Sequence, residues 1–361
     1  MLKDRVDLQR VRRVLVTKLR HHGDVLLASP VFSVLKHHAP HVEIDALVYA
    51  DTEAMLSGHP AIAQVFGIDR GWKSLGLIGQ ASAEWGLLRQ LQRRDYDLLL
   101  HLSEHPRGAW LARLLGARYS VAANYPRARN RWKKSFSHLS PLPKNGRRHM
   151  VEQNLDLLRR IGIQPGESER KLCFEPGEAA ERDVARLLME LGLKPGGYIH
   201  LHPASRWQFK CWPEAKTADL IDKLQALGQR VLVTAAPDAE ELELIARIRS
   251  LATTPFADLC GKLSLKQMGA VSRNARLFVG VDSAPMHIAS AMQTPVVALF
   301  GPSGEFNWGP WQVPHRVLAS NHTCRPCGND GCGGGKLSEC LSTLPVSEVL
   351  QAVQALLQSR A

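Results

Sequence analysis

A chain of 361 residues with 45% hydrophobic and 22% charged content can bury a large core, and its length suggests two domains, so disorder is not the default. Met1 to Arg13 is charged and runs straight into the short apolar stretch Val14 to Val16, which has the form of neither an export signal nor a membrane anchor. The formal charge of +12 implies attraction to an anion, whether nucleic acid, acidic lipid or a phosphorylated substrate.

In chain order, Val14 to Leu19 reads as a first strand, Val25 to Lys36 as a helix, and Val42 to Tyr49 as a second strand. Ala83 to Arg94 has helical spacing, and Tyr96 to Leu102 follows as a later strand. After the Gly- and Pro-punctuated stretch Ile161 to Gly177 the alternation restarts. A helix at Ala179 to Leu191 leads to strands at Tyr198 to His202, Arg230 to Thr234, Leu277 to Val281 and Pro295 to Phe300. Apolar runs such as Val296 to Phe300 fall far short of the roughly 20 residues that cross a bilayer, so a soluble protein is expected. Val346 to Gln358 is a final amphipathic helix. The pattern predicts two α/β units, each a parallel sheet with helices on both faces, with ligands bound at the carboxyl ends of the strands in a cleft between them.

Five segments carry chemistry. In His22-Gly23-Asp24, between the first strand and the first helix, glycine permits a tight turn, and Asp24 is either a helix cap or a general base for an acceptor hydroxyl. In His202-Pro203-Ala204-Ser205-Arg206, leading to Lys210 and Trp212-Pro213-Glu214, Ser205 offers a hydroxyl, and Arg206 and Lys210 offer the cations a diphosphate needs. A solvated surface loop is the bland alternative. In Val281-Asp282-Ser283-Ala284-Pro285-Met286-His287, a strand runs into a helix whose first amides suit an anion, with Pro285 in the first turn. There Asp282 either meets a ribose hydroxyl or holds the loop.

The fourth segment is Cys324, Cys327, Cys332 and Cys340, set among glycines. Four thiolates can bind zinc, but the spacing fits the common ribbon pattern poorly, so reduced structural thiols are the preferred reading and metal the alternative. The fifth is the basic run Arg127, Arg129, Arg131, Lys133 and Lys134, with Arg147, Arg148 and His149 beyond it. It is either a solvated face or a pocket for acceptor phosphates, with Trp132 available to pack on a sugar. Nothing here has the pattern of a zinc finger or an RNA-recognition motif, which sets nucleic acid aside.

In this order the segments resemble the ADP-heptose:lipopolysaccharide heptosyltransferases over nearly the whole chain. The resemblance rests on Leu19 to Asp24, His202 to Pro213, Gly261-Lys262-Leu263-Ser264-Leu265, Val281 to His287 and Leu299 to Ser303. Cys324-Arg325-Pro326-Cys327-Gly328 and the basic N-terminal half look most like the heptosyltransferase III subgroup.

The resemblance implies a GT-B architecture of two facing Rossmann-like domains: residues 1–170 for the acceptor, residues 171–345 for the ADP-sugar, and a terminal helix over 346–361. It implies inverting transfer of L-glycero-D-manno-heptose from ADP-heptose to an inner-core heptose of lipopolysaccharide. Asp24 matches the family's base and Lys210 its donor-phosphate lysine. Ser205, with Arg206 beside it, falls at the phosphate loop, and Asp282, Ser283 and His287 match the ADP-binding helix start. Arg127, Arg129, Arg131 and Lys133 are expected on the acceptor side. No cofactor is required if Lys210 and Arg206 supply the charge. The expected location is the cytoplasm, peripheral to the inner membrane. One departure is Ala236-Pro237-Asp238, where some relatives carry an acidic or lysine side chain for the nucleoside. The alternatives are a transferase of the same architecture with another nucleotide sugar, and a non-catalytic basic protein that binds membrane or nucleic acid.

Overall fold

A computed structural model describes residues 6–143 and 146–359. The chain divides into two compact units, Met1–Phe174 and Glu175–Ala361. The N-terminal unit runs β1 (Arg13–Thr17), α1 (His22–Leu26), α2 (Ser29–His38), β2 (Glu43–Tyr49), β3 (Gln64–Ile68), α3 (Gly76–Gln92), β4 (Leu98–His101), α4 (Pro106–Leu114), β5 (Tyr119–Ala123), α5 (Asn130–Lys133), β6 (His138–Ser140) and α6 (Met150–Arg160). The C-terminal unit runs α7 (Glu178–Glu190), β7 (Tyr198–His202), α8 (Glu214–Ala226), β8 (Arg230–Val233), α9 (Ala239–Leu251), β9 (Ala257–Asp258), α10 (Leu265–Arg273), β10 (Leu277–Val281), α11 (Ala284–Ala291), β11 (Val296–Leu299), α12 (Glu305–Trp308), β12 (His315–Leu318), α13 (Glu339–Ser342) and α14 (Val346–Gln358).

Each unit holds one six-stranded sheet, ordered β3-β2-β1-β4-β5-β6 in the first and β12-β11-β10-β7-β8-β9 in the second. Renumbered within its own unit, the second order is the first read backwards, so both are doubly wound with a reversal at β1/β4 and at β7/β10. The central strands are parallel and buried on both faces. That explains their near-continuous apolar runs where a half-exposed strand would alternate. The helix α14 packs Val349, Val353 and Leu356 into the core of the C-terminal unit.

Two expected elements differ. The helix expected over Val25 to Lys36 is two helices, parted at Leu27 and Ala28. Pro30 lacks an N–H and fits only the first turn of a helix, so the chain restarts there. The helix expected from Ala83 begins at Gly76. Its glycines lower the local propensity, but Leu87 and Leu91 anchor it to the core.

The end of α3 is fixed by a buried charge network. Arg94 donates from Nε to Asp45 Oδ2 (2.8 Å), and Tyr96 donates its hydroxyl to the same oxygen (2.7 Å). The Asp45 side chain is almost wholly enclosed. Arg94→Met would leave that carboxylate without its cation, and the expected loss is about 3 kcal/mol of stability, read from urea unfolding. An unchanged midpoint would show that the network is dispensable.

Candidate functional site

At the carboxyl edge of the N-terminal sheet, β1 ends in Thr17 and leads through Lys18 to Arg20 into α1. The loop is held from several sides. The Leu19 amide donates to Ser103 Oγ (3.0 Å), Arg70 donates to the Arg20 carbonyl (3.2 Å), and the His22 ring meets the Asp51 carbonyl (2.8 Å). The N-cap of α1 is His21, and Asp24 stands inside the first turn. Gly23 has ordinary helical φ, so it is not there to make a left-handed turn. Asp24 therefore does not cap the helix, and it accepts no hydrogen bond and forms no ion pair among the described residues.

Behind Asp24 lies a residue the sequence reading passed over. Lys18 is buried, and its ammonium donates to the Leu102 carbonyl (3.1 Å) and to Asn154 Oδ1 (3.0 Å). Burial pushes its pKa down to about 8, against a smaller upward pull from the Asp24 carboxylate. A lysine ending an apolar strand was the signal available. Beside it, His101 at the end of β4 bonds through Nδ1 to Thr17 Oγ1 (2.5 Å) and stacks on Phe136. Burial pushes its imidazole down to about 3, so it stays neutral. Gly108 is required there, because a Cβ would lie 2.2 Å from the His101 ring.

At the matching edge of the C-terminal sheet, the loops leaving β7 and β10 converge. Lys210 Nζ donates to Asp282 Oδ2 (2.6 Å), with both side chains mostly buried, and the Trp207 ring lies 4.9 Å from the ammonium. Asp282 therefore holds the loop through Lys210. Ser283 is the N-cap of α11 but makes no capping bond, and Pro285 sits in the first turn. Ser205 is buried, Arg206 is exposed, and His287 is buried on α11. The segment after Lys210 is anchored to the C-terminal unit. Trp212 is buried, and its indole N–H donates to the Leu344 carbonyl (3.3 Å).

Beneath this edge the Thr234 hydroxyl joins His202 Nδ1 (2.9 Å) to His200 Nε2 (2.7 Å), and His200 Nδ1 reaches Ser272 Oγ (3.0 Å). Burial pushes the His202 ring down to about 3 and His200 well below its ordinary value. Both imidazoles therefore act as neutral struts for the strand that presents Ser205. In the turn after β8, Asp238 caps α9 (3.0 Å to the Glu240 amide), and the buried Glu241 accepts from the Ala236 amide (2.8 Å).

The basic run is partly exposed, with Arg129 as the N-cap of the short α5. The side chains of Arg127, Arg129, Arg131, Lys133 and Lys134 have no carboxylate partner among the described residues. Arg148, by contrast, is bound to Asp156 at 2.7 Å, and His149 caps α6. Trp132 donates to the His105 carbonyl (3.2 Å) and packs on Phe136 at 4.6 Å, so it braces α5 instead of standing free for a sugar.

Cys324, Cys327 and Cys332 are exposed, and Cys340 is buried with its thiol pKa pushed up. Among the described residues no group of three or more His, Cys, Asp or Glu is arranged to hold a metal ion. The cysteine loop is tied to the exit of β11, where Arg325 donates to the Gly301 carbonyl (2.7 Å) and to Glu305 (3.1 Å).

Two six-stranded, doubly wound parallel sheets make the GT-B architecture. Residues 85–337 match the family model for glycosyltransferase family 9 (heptosyltransferase). Lipopolysaccharide heptosyltransferase 3 of Escherichia coli (strain K12) is 36% identical over 94% of this chain and 96% of its own length. Among solved structures, the glycosyl transferase family 9 protein from Veillonella parvula DSM 2008 superposes with a TM-score of 0.83 at 23% identity, over 96% of this chain and 97% of that one. E. coli heptosyltransferase WaaC with ADP-2-deoxy-2-fluoro heptose superposes at 0.70 and 20% identity, over 97% and 100%. The chain belongs to glycosyltransferase family 9, the heptosyltransferases. It is a lipopolysaccharide core heptosyltransferase, with heptosyltransferase 3 among its near relatives.

Lys18 generates a pH prediction. Its folded pKa, about 8, lies below the ordinary 10.5, so between those values the unfolded chain binds more protons. Stability attributable to this residue therefore rises with pH across that window, and the burial penalty acts in full below it. Against a Lys18→Met variant, unfolding free energies from pH 7 to 10.5 should shift in favour of the wild type by on the order of 2 kcal/mol. A difference that stays flat would show that Lys18 titrates normally.

Proposed function

We propose that this chain transfers L-glycero-D-manno-heptose from ADP-heptose to an inner-core heptose of lipopolysaccharide, with inversion at the anomeric carbon. The observation that carries the reading is the Asp24 carboxylate, which stands in the first turn of α1 with no partner among the described residues, while the Leu19 amide, the Arg20 carbonyl and the His22 ring around it are tied down. A carboxylate so placed suits a base that takes the proton from the acceptor hydroxyl as it attacks the anomeric carbon. Lys18 lies behind it and Arg20 follows in the same loop, so two cations border the place where the acceptor hydroxyl would sit.

The donor belongs, in this reading, to the C-terminal unit. Lys210, poised on Asp282, Arg206 and the open amides at the start of α11 would neutralise the departing diphosphate. Ser205, Asp282, Ser283 and His287 complete the ADP site. No metal is needed for that step, so turnover should persist in a chelator. The acceptor belongs to the N-terminal unit. There Arg127, Arg129, Arg131 and Lys133, which have no carboxylate partner among the described residues, suit the phosphates of a core glycolipid at the cytoplasmic face of the inner membrane.

Two predictions test this. Purified protein is incubated with ADP-heptose, or with other nucleotide sugars, and with truncated core acceptors, and product mass and linkage are followed. Asp24→Asn should keep its fold and donor affinity while losing roughly 100-fold or more in turnover, whereas Lys210→Ala should weaken donor binding or slow ADP departure. Near-normal turnover in the Asp24 variant would remove the base, and preference for another nucleotide sugar would remove the donor assignment.

The second is a triple alanine variant of Arg129, Arg131 and Lys133 assayed at two ionic strengths. It should show a raised apparent acceptor constant and a weaker salt dependence, since surface attraction is screened over about 8 Å at physiological salt. Donor affinity should be spared. Unchanged acceptor use at both ionic strengths would make the run a solvated face.

A further inference from the structure

Among the described residues of the N-terminal unit, every large apolar side chain left strongly exposed lies between positions 75 and 114. Leu75, Leu77 (90% exposed), Ile78 (88%) and Trp85 (52%) belong to α3 and the turn before it, and Trp110 (64%) and Leu114 belong to α4. This is a pattern, because α3 and α4 lie side by side. Glu84 pairs with Arg107, Gln92 donates to the Leu114 carbonyl (2.8 Å), and both helices turn their inner leucines, Leu87, Leu91 and Leu111, into one core cluster. With their inner faces on the same core, their outer faces look to the same solvent. Ile78 and Trp85 are two turns apart on the outside of α3, and Trp110 and Leu114 one turn apart on the outside of α4.

Such a face is costly to leave in water unless something covers it. Its surroundings indicate what. The Arg89 guanidinium lies over the Trp85 ring at 5.2 Å, Lys73 precedes the first turn, and Arg113 projects from α4. The carboxylate of α3, Glu84, is neutralised by Arg107. Arg113 also donates to the Arg131 carbonyl (2.8 Å), which joins α4 to α5 and brings the basic run to the edge of the patch. An apolar centre of leucine, isoleucine and tryptophan with a rim of arginine and lysine is complementary to a bilayer surface. Tryptophan and aliphatic side chains enter the headgroup region while the cations meet anionic lipids. The exposed Asp69, Asp95 and Glu104 stand at the ends of the two helices, but Lys73, Arg89, Arg113 and the basic run outnumber them, so the net sign of the rim is positive.

We propose that the outer face of α3 and α4, centred on Leu77, Ile78, Trp85 and Trp110, is the surface by which this protein docks on an anionic lipid bilayer. The inference deepens the reading of a membrane-peripheral transferase by assigning the face that makes the contact. It fixes which side of the N-terminal unit lies against the lipid, and it places the basic run at the margin of that contact, where a glycolipid headgroup would emerge.

The test floats the full chain with vesicles of phosphatidylcholine alone and with equimolar phosphatidylcholine and phosphatidylglycerol. The wild type is compared with a triple variant, Leu77→Gln, Ile78→Gln and Trp85→Gln. All three sites are exposed, so the fold should be kept, and heptose transfer to a soluble core oligosaccharide serves as the check. The expected result is flotation of the wild type with the anionic vesicles alone, and a fall of about tenfold or more in partitioning for the variant with soluble transfer unchanged. Undiminished binding by the variant overturns the proposal, as does equal capture by neutral vesicles. So does a wild-type dimer in sedimentation velocity that the substitutions dissociate, since a second copy would then be the occupant. If neither protein transfers heptose but only the wild type floats, the reaction assignment fails and the docking face stands.

Discussion

Where a parallel sheet reverses its winding, two neighbouring strands send their chains to opposite faces, and no crossover covers the gap between the loops that leave them. This chain contains that constraint twice, at β1/β4 and at β7/β10, and Asp24, Ser205, Lys210 and Asp282 all lie in loops that leave these strands. Thr17 and His101 are register partners on the first pair of strands, and Gly280 and His202 on the second. Lys18, Asp24 and Ser103 follow the first pair, and Ser205, Lys210 and Asp282 follow the second. Open loop ends would be mobile if left alone. Here they are fixed by bonds from neighbours: Ser103 to the Leu19 amide, Arg70 to the Arg20 carbonyl, and Asp282 to the Lys210 ammonium.

Burial then decides which of these groups carry charge. His101, His200 and His202 are enclosed, and removal from water holds each ring neutral, so they act as hydrogen-bonded struts. Lys18 is also enclosed, but two carbonyl-type acceptors and the Asp24 carboxylate offset part of the cost, which leaves it near the point of titration. What the N-terminal edge offers includes the Asp24 carboxylate, which has no partner among the described residues, with exposed Glu104 in the loop after β4. What faces outward at the C-terminal edge is a cation already poised on one.

The excess positive charge is uneven in what it is free to do. Arg70, Arg94, Arg107 and Arg148 are bound to carboxylates and serve as structural ties, and Arg325 clamps the β11 exit. The run from Arg127 to Lys134 has no such partners among the described residues and lies beside the apolar outer face of α4. A net charge of +12 is thus partly internal wiring and partly a local field. The two kinds of cation are indistinguishable in composition.

The sequence by itself determined the alternation of strand and helix, because strands buried on both faces must be apolar throughout, and it placed Asp24, Lys210 and Asp282 at strand exits. It missed the break before Pro30 and the early start at Gly76, where tertiary contacts outweigh local pattern. It left open whether Asp24 caps a helix. Only the three-dimensional arrangement shows His21 in that position and the carboxylate unpartnered. Lys18 showed only as a lysine closing an apolar run, and its buried partners, His101 with its Gly108, and the Thr234 bridge between two histidines were not legible, since burial and pairing across some 30 to 136 residues of chain leave no local mark. The strand order belongs to the same class. Periodicity tells which segments are strands, but which strand lies beside which is set by packing over the whole sheet, and that order puts the chemistry where it is.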